Sequence, residues 1–299
     1  MTSDCDEGRS AGCGQAREHA AAAEHEELPR RGTDSDSTWD GAGVVITGAA
    51  QGIGAAYADR LAAEGARLVL ADLKPEGLRS VAERTNAIAV QGDCSTSEGI
   101  RQLVDRATEH LGDIDVWIGN AGVDAGQGLH ADEASWDLSW QVNVLAHARA
   151  ARLLIPRWLE RGSGRFIVTA SAAGLLTVLG SPTYAVTKHG AVAYAEWLAA
   201  TYGAHGIKVH AVCPQGVQTD MLAGIDEAAA AIISADGALQ PSDVAQALVD
   251  AVERETFLVL PHPQVADYYR YRATHTDKWL SGMQSLQAKL DAARPLTDR

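Results

Sequence analysis

The amino-acid sequence predicts an α/β protein, a doubly wound, seven-stranded parallel sheet in a single domain. Three observations predict it. From Gly43 to Leu260, short β-branched runs alternate with Ala- and Leu-rich amphipathic stretches, the pattern of buried strands joined by crossover helices. A glycine-rich turn links the first such run to the first amphipathic stretch. The alternation then continues without an internal repeat or a second domain, over a length that single α/β units reach.

In order, the expected strands are Val44 to Thr47, Arg67 to Ala71, Ala87 to Gln91, Val116 to Gly119, Arg165 to Thr169, Lys208 to Val212 and Phe257 to Leu260. Between them lie helical stretches at Ile53 to Glu64, Pro75 to Thr85, Ser97 to Leu111, Ser135 to Leu159, Thr183 to Tyr202 and Pro241 to Glu253. A domain over residues 41–262 accounts for all of them. Beyond it, Tyr268, Tyr269, Tyr271, Trp279, Met283 and Leu286 follow helical spacing with one apolar side. Residues 263–299 are therefore expected as a helical extension, docked on its own subunit or serving as a lid or a contact to a neighbouring one.

The 299 residues are 46% hydrophobic and 21% charged, enough for a substantial core, which excludes disorder of the whole chain. No apolar run approaches the roughly 20 residues that span a bilayer. A net charge of −14 repels phosphate backbones and anionic membranes, so neither nucleic acid nor membrane is an expected partner. Cys5, Cys13, Cys94 and Cys213 share no repeating spacing and point to a reduced, cytoplasmic setting. Residues 1–40 hold ten acidic and four basic residues among Gly, Ser and Ala, too little apolar surface to offset their ordering entropy. A disordered acidic leader is expected there, or residues added by an upstream start codon. Cys5, Cys13, His19 and His25 lack zinc-ligand spacing, and no metal is expected.

The first strand runs into Thr47-Gly48-Ala49-Ala50-Gln51-Gly52-Ile53-Gly54, which opens a helix. Glycines let the backbone turn tightly and approach a pyrophosphate, and the helix N-terminus offers N–H groups at the positive end of its dipole. About twenty residues on, Asp72 ends the second strand, where an acid accepts hydrogen bonds from the adenosine ribose and repels a 2′-phosphate. NAD is the expected cofactor, ahead of NADP, with Lys74 as a nearby cation that partly offsets the repulsion. Asp72 could also cap the Pro75 helix, and the two roles are compatible.

Further along stand Asp93 after the third strand, Asn120-Ala121-Gly122 after the fourth, Asn143 between Val142 and Val144, and Ser171 closing the fifth. Tyr184-Ala185-Val186-Thr187-Lys188 and Pro214 to Thr219 follow. With the glycine spacing of the first turn, this set in this order resembles the short-chain dehydrogenase/reductase family over about Asp40 to Leu260. The resemblance implies a Rossmann-like fold and oxidoreduction at a CH–OH group. It implies cofactor contacts at Gly48, Gln51, Gly52, Ile53, Gly54, Asp72 and Leu73, then at Asp93 and Cys94 beside the adenine. Asn120, Ala121 and Gly122 would pack on the adenosine ribose, and Tyr184, Lys188, Pro214, Gly216, Val217 and Thr219 would serve the nicotinamide end. A homodimer or homotetramer is implied through the two long central helices, which carry Trp136, Trp140, Tyr194, Trp197 and Leu198.

Tyr184 and Lys188, four apart on a helix, share a face. A phenol titrates near pH 10, and a general acid/base near neutrality needs its phenolate stabilised by about 4 kcal/mol. An exposed ion pair gives under about 1 kcal/mol, whereas a partly desolvated ammonium at about 4 Å gives up to ~4 kcal/mol. Only a closed cleft, with a positive nicotinamide ring nearby, brings the shift within reach. The Ser171 hydroxyl can hold a substrate oxygen for hydride transfer. By the resemblance, Tyr184 is the proton donor or acceptor, Lys188 lowers its pKa and binds the nicotinamide ribose, and Asn143 holds a water that relays protons from Lys188 to solvent.

One departure from the family pattern is Gln215, where Pro-Gly is usual after the sixth strand. Its side chain either bonds substrate or points away; polar groups lining such clefts usually orient ligand. Leu175, Leu176 and Thr177 are wall candidates, and Met221, Leu222, Ile225, Ile232 and Ile233 lie where the family keeps a substrate lid, though Ile225 to Ile233 also fits a helix packed on the core. The expected substrate contacts are thus Ser171, Tyr184, Gln215, Leu175 and Met221. The leading function is NAD-dependent interconversion of a hydrophobic secondary alcohol and its ketone. The alternatives are an NADPH-dependent reductase of an acyl or polyketide-type ketone and a non-catalytic nucleotide-sensing protein.

Overall fold

The structure, a computed structural model, describes residues 37–225 and 227–293. Its sheet contains β1 (Gly43–Thr47), β2 (Arg67–Asp72), β3 (Ile88–Gln91), β4 (Val116–Gly119), β5 (Gly164–Thr169), β6 (Ile207–Val212) and β7 (Leu258–Val259). All pairings are parallel, in the order β3-β2-β1-β4-β5-β6-β7. The doubly wound, Rossmann-like architecture expected from the alternating pattern is present.

Side chains alternate between the faces of each strand, so the sheet feeds two cores. Val45, Val69, Trp117, Phe166 and Val168 enter one, against α3 (Ser97–Leu111), α5 (Ala146–Arg161) and α6 (Pro182–Tyr202). Val44, Leu70, Ile118, Ile167 and Val212 enter the other, against α1 (Gly52–Ala63), α2 (Pro75–Thr85) and α9 (Pro241–Glu253). Burial of each large apolar side chain contributes about 1.5–3 kcal/mol. Strand order reverses between β1 and β4, whose connections leave to opposite faces, and a crevice opens beyond the strand ends at that point.

Two expected helices differ in detail. The stretch foreseen over Ser135 to Leu159 is α4 (Glu133–Trp140), one π-helical turn (Gln141–Leu145) and α5. The wider turn holds Asn143 with its side chain fully buried, a change in hydrogen bonding that apolar periodicity does not record. The extension divides at His275 (φ −137°, ψ 50°) into α10 (Gln264–Thr274) and α11 (Thr276–Ala293). Between β6 and α9, two short helices, α7 (Asp220–Ala223) and α8 (Glu227–Ile233), occupy the segment in which a lid was expected. The acidic leader, with Cys5, Cys13, His19 and His25, lies outside the described residues. Among the described residues, no helix is long and apolar enough to cross a membrane, and no cluster of His, Cys, Asp and Glu is arranged to hold a metal.

Packing density makes one strand end a sensitive position. Trp158 on α5 is buried and donates from Nε1 to the Ile114 carbonyl at 2.7 Å. A Cβ on Gly164, at the start of β5, would stand 2.2 Å from that indole. Gly164→Ala is expected to cost about 1–3 kcal/mol through overpacking. Thermal unfolding should show a midpoint lower by about 2–4 °C per kcal/mol, and an unchanged midpoint would contradict this packing.

Candidate active site

The turn after β1 has the conformation its glycines permit. Gly48 and Gly52 sit at φ +66° and +57°, a region costly for residues with a Cβ. A Cβ on Gly54 would meet the Gly48 carbonyl at 2.1 Å, so this third glycine lets helix α1 approach the strand, and it does not line the cleft. Gln51 caps α1 without a side-chain bond, so the first N–H groups of the helix open toward a cleft lined by Gly48, Gln51, Gly52 and Ile53. This is a donor set for phosphate oxygens.

Asp72 ends β2 at the rim of the same cleft. One carboxylate oxygen accepts from the Ala50 N–H (3.0 Å), the other from the Lys74 N–H (2.9 Å), and each retains a lone pair for a further donor. It does not cap α2, whose N-cap position is Lys74. The Lys74 ammonium donates to Gln51 Oε1 at 2.7 Å, fastening the turn to the strand end. Leu73, Asp93 and Cys94 complete this side. Asp93 accepts from the Ser95 N–H at 2.8 Å. Burial pushes the Cys94 thiol up to about 12, reinforced by the charges of Asp93 and Asp72, so it is not a nucleophile.

Beneath the turn, the Thr47 hydroxyl accepts from the N–H groups of Asn120 and Ala121 (3.0 Å each), while Asn120 Nδ2 donates to the carbonyls of Thr47 (3.0 Å) and Gly48 (3.1 Å). Asn120 and Ala121 thus bind β4 to β1 and also line the cleft, as does Gly122. The whole cleft measures about 1350 Å³. Uncapped helix N–H groups, glycine backbone and an acid with spare lone pairs fit the phosphates and ribose of a dinucleotide.

At the other end, β5 delivers Ser171 and α6 delivers Tyr184 and Lys188, all facing the cleft. The Ser171 hydroxyl accepts from the Ala173 N–H at 3.1 Å, within one short helical turn, and interacts with the Tyr184 phenol. Lys188 is buried, its ammonium donating to the Thr169 carbonyl at 2.9 Å and standing 5.5 Å from the Tyr184 ring centroid. Burial pulls the Lys188 ammonium down to about 8, opposed by the charge of the Cys213 thiol. The phenol of Tyr184 does not move down within the chain itself. Burial pushes it up to about 12, opposed by the Ser171 hydroxyl and reinforced by the charge of Asp124.

Asn143 lies behind these residues and does not line the cleft. Its Oδ1 accepts from the Val123 N–H, and its Nδ2 donates to the Val123 carbonyl and to the Thr187 hydroxyl, all at 2.9 Å. Both N–H donors of the amide and one lone pair of its oxygen are thus spent on fixing the loop after β4 and the Tyr184 helix. Thr187, fully buried and bonded in turn to the Thr183 carbonyl at 2.7 Å, was not among the expected site residues. Its position between Tyr184 and Lys188 in one helical turn was the available signal.

The outer wall departs most from expectation. Leu175 is buried in the core and does not line the cleft, because the short turn at Ala172–Gly174 directs it inward. Leu176 and Thr177 line it instead. Gly216 also lies outside the lining, backed against Ser234 and the Ile233 carbonyl. Pro214, Gln215, Val217, Thr219 and Met221 all line the cleft, but the Oε1 atom of Gln215 is sealed from solvent without a partner. The Gln215 N–H donates to His262 Nδ1 at 3.2 Å, and His262 Nε2 is likewise buried and unpartnered among the described residues. Thr219 caps α7 through a 3.4 Å bond from the Leu222 N–H. The far side is built by the extension, with Tyr271, Trp279, Met283, Leu286 and Leu290 facing α8 across the cleft mouth. Arg272 of α10 pins it by donating to the Leu175 carbonyl and contacting His189 Nε2 at 3.0 Å, with its guanidinium 5.3 Å from the centre of the Trp279 ring.

Comparison with known proteins identifies the family. Residues 42–230 match the short chain dehydrogenase family. A 1-deoxy-11-beta-hydroxypentalenate dehydrogenase of Streptomyces exfoliatus is 34% identical over 250 residues, covering 79% of this chain and 87% of that one. A cis-4-hydroxycyclohexanecarboxylate dehydrogenase of Sinomonas cyclohexanicum is 32% identical, covering 68% and 86%. A solved short chain dehydrogenase/reductase from Burkholderia phymatum, in complex with NAD, superposes with a TM-score of 0.73 at 29% identity, covering 81% of this chain and 96% of that one. The chain belongs to the short chain dehydrogenase family and is an oxidoreductase of that family.

Proposed function

We propose that the protein is an NAD-linked dehydrogenase interconverting a hydrophobic secondary alcohol and its ketone, with Tyr184 as general acid/base. The observation that carries this reading is the convergence of Ser171, Tyr184 and Lys188 at one end of a cleft whose other end is closed by Asp72. Ser171 orients the substrate oxygen. Tyr184 takes the hydroxyl proton in oxidation and returns it in reduction. A bound dinucleotide supplies the hydride acceptor or donor, held by the open N–H groups of α1 and by Asp72, with Asp93, Asn120, Ala121 and Gly122 along the adenosine half. Lys188 places a buried positive charge beside the phenol, and Asn143 positions the helix that carries both. Since the chain's own groups leave the phenol near 12, its activation requires the positive nicotinamide ring in addition to Lys188.

The two relatives are named for a hydroxypentalenate and a hydroxycyclohexanecarboxylate, and the apolar wall of Leu176, Met221, Trp279 and Met283 suits such a ring skeleton. Reduction with NADPH is disfavoured by the Asp72 carboxylate, which repels a 2′-phosphate. A nucleotide sensor would gain nothing from a lysine buried at a desolvation cost. The exposed faces of Trp140, Val186 and Trp197 on α4 and α6 support a homodimer or homotetramer. Cys94 and Cys213, both free and buried, suit the reducing cytoplasm.

Tyr184→Phe should lower kcat at least about a thousandfold with NAD affinity retained; steady-state kinetics beside cofactor titration check this, and a variant of near-normal rate sinks the proposed role. Asp72→Asn keeps the acceptor oxygen and removes the charge. The preference for NAD over NADP should then fall about tenfold or more, read as the ratio of kcat/KM values. Lys188 also sets a pH dependence of stability. Its pKa is lower folded (about 8) than unfolded (10.5), so between these values the unfolded chain binds the extra proton and this group's contribution to stability rises with pH. Denaturant unfolding of wild type and Lys188→Met should therefore diverge in favour of wild type across that window, and parallel profiles would contradict the burial of the charge.

A further inference from the structure

We propose that the substrate carries an anionic group, a carboxylate on its apolar skeleton, received by Lys278 and Lys289 of α11. The proposal rests on the dehydrogenase reading and adds the chemical class of the substrate. The distribution of cations is its first support. The chain has only five lysines against a net charge of −14, yet Lys74, Lys188, Lys278 and Lys289 all line this one cleft, and no arginine does among the described residues. The fifth, Lys208, is paired with Glu255 at 2.7 Å.

Of the four, Lys74 is spent on Gln51 and Lys188 on Thr169. Lys278 and Lys289 make no hydrogen bond or ion pair among the described residues. Two of the acids that line the cleft are engaged elsewhere. Asp236 accepts from the Tyr268 hydroxyl through both oxygens, at 3.0 and 3.1 Å, and Asp124 accepts from the Ser181 hydroxyl. Neither neutralises the two ammonium groups by direct contact.

Helix geometry places the pair on one flank. Eleven residues make three turns and about 20° more, so Lys278 and Lys289 share a face of α11 about 16 Å apart. Trp279, Met283, Leu286 and Leu290 line the cleft from the same helix. An apolar skeleton can lie along these side chains with its alcohol toward Tyr184 and its acid at the rim. Low-dielectric walls focus the field of the two ammonium groups at the mouth, which counters the repulsion that an acidic protein exerts on an anion. Lysine, a flexible point charge rather than a fixed fork, can follow a carboxylate whose position differs from one ring skeleton to the next.

The test uses a bulky apolar acid and its neutral isostere, adamantane-1-carboxylate and adamantane-1-carboxamide, titrated calorimetrically into the full chain with NAD present. The carboxylate should bind about tenfold more tightly than the amide, and its advantage should shrink with added salt. Lys278→Ala combined with Lys289→Ala should bring the two affinities within about twofold, while replacement of both by Arg keeps the preference. Equal affinities in wild type, a preference unmoved in the double alanine variant, or no binding of either probe overturns the proposal. Turnover of a neutral ring alcohol, lost in Tyr184→Phe, is measured separately. If that turnover is present without acid preference, only the lysine assignment fails; if no alcohol is turned over, the dehydrogenase reading fails.

Discussion

The site depends on a small knot of hydrogen bonds at the ends of β1 and β4. The Thr47 hydroxyl, donating to the Ile118 carbonyl (3.4 Å) and accepting two N–H groups, together with the Asn120 amide, holds the strand ends together where their following segments part. Parallel strands whose connections diverge leave backbone groups exposed at the fork, and an unpaired buried polar group costs about 1–3 kcal/mol. Here the side chains of the fork itself satisfy them. With the fork fixed, Gly48 can take its left-handed turn, α1 can aim its N-terminus at the cleft, and Asp72 can sit opposite.

A second constraint is the buried charge of Lys188. An ammonium sealed in a protein is held at a cost, and here a carbonyl offsets part of it in place of a carboxylate. A carboxylate would neutralise the field at the phenol. A neutral carbonyl dipole orients the ammonium without cancelling its charge. The surrounding network of Asn143, Thr187 and Val123 is joined by three bonds of 2.9 Å, which tie the helix bearing both residues to the loop after β4.

The parallel sheet and the cleft floor were legible because each rests on local chemistry. Short β-branched runs, glycines at a forced φ and a four-residue spacing leave marks in the sequence whatever the tertiary context. Leu175 was misread because a buried turn, rather than its neighbour Ser171, decides which way it points. The π-turn at Asn143 was invisible because an extra residue in a helical turn alters hydrogen bonding without altering hydrophobicity. Lowered rather than raised acidity at Tyr184 follows from desolvation, a quantity set by every neighbour at once. The extension showed its helical period, but its division at His275 and the face it turns to the cleft depend on contacts such as Arg272 with the Leu175 carbonyl.

That anchoring separates two kinds of information along the chain. The residues proposed to hold a dinucleotide or to touch the reacting oxygen all precede Asp220, whereas α8 and α11, on the far side of the cleft, follow it. Changes beyond residue 220, about the last quarter of the chain, can therefore reshape what the pocket accepts without altering the groups proposed to handle the proton. Arg272 ties the two stretches together through the Leu175 carbonyl and His189. Chemistry and taste are inherited on different stretches of one polypeptide.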